Sequence, residues 1–61
     1  MKRQMVVRIE GRDFSAVSDA DNLITATIEC LVQLQQLVFN AVGIMPLEST
    51  LIRHMRYFKP I

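Results

Sequence analysis

From Cys30 to Leu47 the chain runs for eighteen residues without a charge, and the helix signals around this stretch extend it into one long element. Ser18 can act as N-cap, and Asp19 and Asp21 place negative charge at the positive end of a helix dipole. Gly43 suits the left-handed position after a last turn, and Pro46 prevents continuation. These marks predict a helix over residues 19–42. At 1.5 Å per residue it spans about 36 Å, whereas a compact chain of this size is only about 27 Å across. Its wheel has one narrow polar stripe (Asn22, Thr25, Glu29, Gln33, Gln36, Asn40) and an apolar arc of about 220°. A surface helix needs little more than about 100° of apolar stripe, so this one is expected to be covered on two sides. The expectation is a helix-packed homo-oligomer, a homodimer in its simplest form, with Ile24, Ile28, Leu31, Leu34, Gln35, Val38 and Val42 at the interface. Gln35, inside the apolar arc, is the residue expected to fix register between the helices. The same stretch nears the lower length limit of a membrane span, but Gln33, Gln35, Gln36, Asn40, Gly43 and Pro46 interrupt it and mark a soluble helix instead.

The flanks supply smaller pieces. Met5, Val7 and Ile9 alternate with Gln4, Val6, Arg8 and Glu10, the period of a half-buried strand. Glu10-Gly-Arg-Asp13 carries turn chemistry, and Phe14–Val17 alternates again, so a short hairpin is expected. Leu47, Leu51, Met55 and Phe58 recur at helical spacing, with Ile52 widening the face, which predicts a second helix over residues 47–58 ended by Pro60. The expected fold is a single domain over residues 1–61, of α+β class and predominantly helical. A chain this short buries only about 60% of the surface it exposes when unfolded, and one cysteine permits no internal disulfide.

Chemistry is sparsely encoded. Cys30 sits mid-helix on the apolar arc, far in sequence from the only histidine, His54, and reads as a small buried hydrophobe. His54 lies between Arg53 and Arg56 and reads as a surface residue. Asp19 and Asp21 are explained by the helix start. No phosphate loop, dinucleotide fingerprint, zinc-protease motif or nucleophile elbow is present. The expectation is a non-enzymatic protein without metal or cofactor. The basic N-terminus is interrupted by Arg8, Glu10 and Arg12 before an apolar run can develop, so it reads as mature chain rather than as a leader. The free thiol fits a reducing cytoplasm.

Charge is segregated along the chain: residues 1–12 sum to +3, residues 13–48 to −5, and residues 49–61 to +3. Anions are therefore drawn to the two ends. At the C-terminal end Arg53, His54, Arg56, Tyr57 and Lys59 form a basic-aromatic group that can contact an anionic ligand such as a nucleotide. At the N-terminal end the Gln4-x-Val6-x-Arg8 spacing is similar to that of ribbon-helix-helix repressors. The resemblance implies a strand that pairs between two chains and enters a DNA major groove. It covers about eight residues, and the turn-rich stretch before a long helix departs from the short first helix of that family. The functional expectation is a small regulator or inhibitor that binds a partner macromolecule, most simply another protein, as a homo-oligomer and without a membrane. Two alternatives accompany it: a ribbon-type DNA-binding dimer, and an oligomeric binder of an anionic small molecule.

Overall fold

Met5, Val7 and Ile9 face one side of a strand, β1 (Arg3–Ile9), in the computed structural model, which describes all 61 residues. The chain reverses at Glu10 and Gly11, whose φ angles of 53° and 74° place both in the left-handed region. This is the two-residue turn whose twist matches that of the flanking strands. It delivers β2 (Arg12–Ser18), antiparallel to β1 with Ile9 opposite Arg12 and Arg3 opposite Ser18. The expected second strand is therefore present and longer than its alternating core.

The long helix, α1 (Leu23–Val42), begins later than its acidic approach suggested. Ser18 is the last residue of β2 and is buried; its hydroxyl donates to Glu29 Oε1 at 2.7 Å and accepts from Ala20 N–H at 3.1 Å. The N-cap is Asn22, whose side-chain oxygen accepts from Ile24 N–H and Thr25 N–H at 2.8 and 3.2 Å. Asp19 and Asp21 lie before the helix and not in its first turn. The C-terminus follows expectation: Gly43 takes φ 79° and its N–H donates to Phe39 O at 2.7 Å. Twenty residues give a helix of about 30 Å, which matches the 31 Å long axis of the molecule and does not overshoot it.

The C-terminal segment corrects the sequence reading most. Only α2 (Glu48–Arg53) is helical; β3 (Met55–Pro60) follows and pairs antiparallel with the free edge of β1, giving the sheet order β2-β1-β3. A six-residue helix is weak alone, whereas a strand docked on β1 satisfies a whole row of backbone groups. Of the four residues expected on one helical face, Leu51 is fully buried and Phe58 packs against the core, while Leu47 and Met55 remain exposed. With 43% helix and 33% strand the fold is not predominantly helical.

The core lies between one face of the sheet and α1. Met5, Val7 and Ala16 from the sheet meet Cys30, Leu31, Leu34 and Val38 from α1, and Leu51 of α2 closes one end. Burying a side chain of Leu or Val size contributes about 1.5–3 kcal/mol. The expected helix-packed interface is corrected at its centre: Leu31, Leu34 and Val38, three of its residues, are within 3% of complete burial against the chain's own sheet. Gln35, expected to fix register between helices, donates instead to Pro46 O at 3.1 Å and holds the loop after α1. Ile24 and Ile28 are exposed, and Val42 is half-buried beside the core.

Candidate functional site

The face of the sheet turned away from α1 is open. Strand alternation brings Gln4, Val6 and Arg8 to it from β1, and Asp13, Ser15 and Val17 from β2. In the antiparallel register Gln4 stands opposite Lys59 and Val6 opposite Tyr57 on β3. Between Val6 and Val7 the β1–β3 register shifts by one residue, so that Val7 meets Met55 and Arg56 is the extra residue of a bulge. A strict alternation would send Arg56 inward; the bulge lets Arg56 and its neighbour Tyr57 line the same surface.

The two residue groups singled out at opposite ends of the sequence thus become one site. Gln4, Val6, Arg8, Asp13, Ser15, Arg56 and Tyr57 line an open depression of about 500 Å³. Its floor is Val6, which is only 7% exposed although it points away from the core, because its neighbours on β2 and β3 cover it. Tyr57 retains 40% of its surface. The Lys59 ammonium sits 4.7 Å from the Tyr57 ring centroid, an exposed cation–π contact worth about 0.5–1 kcal/mol. Arg8 Nη1 lies 3.5 Å from Asp13 Oδ1, with both side chains about half exposed, so the pair contributes at most about 1 kcal/mol and leaves the guanidinium accessible. Three cations, Arg8, Arg56 and Lys59, face one carboxylate, Asp13, and the excess positive charge lies on the β3 side.

Arg53 and His54 do not line this depression. Arg53 ends α2, and His54 is its C-cap. The His54 Nδ1–H donates to Thr50 O at 2.8 Å, since a carbonyl can only accept, and the His54 carbonyl accepts from Arg8 N–H at 3.1 Å. His54 thus tethers α2 to β1. Ser15 and Asp13 were absent from the sequence reading of the site; only the hairpin register, set by the Glu10-Gly11 turn, reveals them.

The ribbon-like use of β1 meets a geometric obstacle. Both of its edges are occupied, by β2 and β3, so no edge is left for the same strand of a second chain.

Other surfaces are less convergent. Ile24, Ile28, Val32 and Phe39 leave an exposed apolar stripe along α1. A second open hollow of about 390 Å³, lined mainly by Ile9, Val38, Val42, Ile44, Met45 and Leu47, lies beside the end of α1. Cys30 is wholly buried, and that burial pushes its thiol pKa up, away from a nucleophilic thiolate. No group of three His, Cys, Asp or Glu side chains is placed to hold a metal ion, and no helix is long and apolar enough to cross a membrane. Comparison with family models, with curated proteins and with solved structures gave no match.

Proposed function

We propose that the protein is a non-enzymatic regulator that binds an anionic partner macromolecule on the open face of its sheet. The observation that carries this reading is the convergence of Arg8, Arg56 and Lys59 beside the exposed ring of Tyr57, from strands at opposite ends of the chain. Three cations on one rigid face create a local potential that draws anions, while the rest of the chain is net acidic and does not. The partially exposed guanidinium groups of Arg8 and Arg56 can each take a phosphate or carboxylate through two parallel hydrogen bonds. The face is shallow and polar, which suits a long ligand lying across it better than a small one enclosed.

The test is retention on immobilised heparin at low ionic strength. The wild-type protein is expected to be retained, and the triple variant Arg8→Ala, Arg56→Ala, Lys59→Ala to elute early. Arg56→Ala alone should elute earlier than Arg53→Ala, which removes the same single charge outside the face. Wild-type protein that flows through, or Arg56→Ala that elutes with Arg53→Ala, would remove the reading.

A further inference from the structure

We infer that the anionic partner is a single-stranded nucleic acid, with one base stacked on Tyr57 and the backbone running past Arg56, Arg8 and Lys59. This rests on the preceding assignment of the sheet face as the binding surface and names its ligand. Three features of the face carry it.

The first is the ring itself. Tyr57 is the only aromatic side chain on a face otherwise made of short, polar or cationic residues, and it stands in the row that holds Val6 and Ser15. An exposed aromatic surrounded by cations is what an unpaired base needs, because stacking is available to every base and the cations serve the phosphates.

The second is Lys59. Its ammonium rests over the Tyr57 ring at 4.7 Å, where an incoming base would lie. Stacking of a base on an aromatic ring outweighs an exposed cation–π contact, so the base displaces the ammonium, and the freed lysine can pair with the adjacent phosphate. Asp13, the one carboxylate on the face, is held by Arg8 on the β2 side and leaves the β3 side free for phosphates.

The third is width. Three strands spaced 4.7–4.9 Å apart place the outer backbones about 10 Å apart before side chains are counted. A duplex major groove of about 12 Å admits a helix or a two-stranded ribbon, whereas this three-stranded face belongs to a molecule 17 Å across its short axes. A flexible single strand can instead lie across it, with Gln4 and Ser15 beside the stacked base as donors and acceptors for its edge.

The chain holds one tyrosine and no tryptophan, so its intrinsic ultraviolet emission reports Tyr57 alone. Titration of the wild-type protein with a short oligothymidylate should quench that emission as the base stacks, whereas heparin should bind without comparable quenching. In anisotropy with the labelled oligomer, Tyr57→Phe should bind like wild type. Tyr57→Leu, which still covers Val6, should bind about ten-fold more weakly with an unchanged salt slope. For three phosphate contacts the wild-type slope of log affinity against log salt should be about −2, and Arg56→Ala should reduce it by about 0.7. Retention on heparin combined with no quenching, equal or tighter binding of a duplex of the same length, or equal competition by a mononucleotide would overturn the single-strand inference and leave the anion-binding face standing. Failure to bind both heparin and the oligomer would remove both.

Discussion

Two residues hold conformations or environments that cost the fold something, and each makes a measurable statement. Glu10 sits at φ 53° in the hairpin turn, a region that L-residues enter at a penalty of about 1–2 kcal/mol unless a short polar side chain relieves it. Gly11 beside it meets the same demand without a Cβ. Asparagine is the favoured residue at the first central position of such a turn, so Glu10→Asn should raise stability by about 0.5–1 kcal/mol. A higher urea midpoint with an unchanged slope would show it. Cys30 acts through protons. Burial raises its folded pKa above the unfolded one, opposed in part by a hydrogen bond from the Met5 backbone and reinforced by the neighbouring Glu29 charge. The unfolded chain therefore loses its thiol proton first as pH rises past about 8.5, and stability that is fully present below that pH declines above it. Cys30→Ala should remove this contribution, so the stability difference between wild type and variant should shrink on the alkaline side in paired urea titrations.

At the scale of elements, legibility followed how local each decision was. The end of α1 was readable because Gly43 needs only its own backbone to close the last turn. Its start was not, because Ser18, Asp19, Asp21 and Asn22 can all cap a helix, and the choice was made elsewhere. Pairing with Arg3 commits Ser18 to β2, and the Glu29 carboxylate then engages its hydroxyl, leaving Asn22 to cap. The first strand and its hairpin were visible in their alternation. The last strand was hidden because Leu47, Leu51, Met55 and Phe58 also satisfy a helical spacing, and the backbone partners that decide the matter lie some fifty residues away on β1. The wide apolar arc of α1 is covered on one side only: the sheet takes Leu31, Leu34 and Val38, while Ile24, Ile28, Val32 and Phe39 stay exposed. The site was legible only in part. Gln4, Val6 and Arg8 stood out, as did Arg56, Tyr57 and Lys59, but their union depends on a long-range pairing and on a bulge that no local pattern announces.

The whole molecule is elongated, 31 by 17 by 17 Å, with one layer of side chains between helix and sheet. A core of eight buried residues leaves little reserve. Leu34 is completely buried at its centre, so Leu34→Ala should cost about 2–5 kcal/mol, a large part of the 5–15 kcal/mol that holds ordinary domains together. Circular dichroism should find that variant largely unfolded near body temperature, while Ile28→Ala, on the exposed side of α1, should melt close to wild type. The placement of β1 between β2 and β3 carries a further consequence for how the protein comes into being. Its first strand cannot be finished until its last has been translated and has left the ribosome, so a growing chain offers a bare strand margin and no assembled cationic platform. Synthesis itself then sets the moment at which the molecule becomes competent.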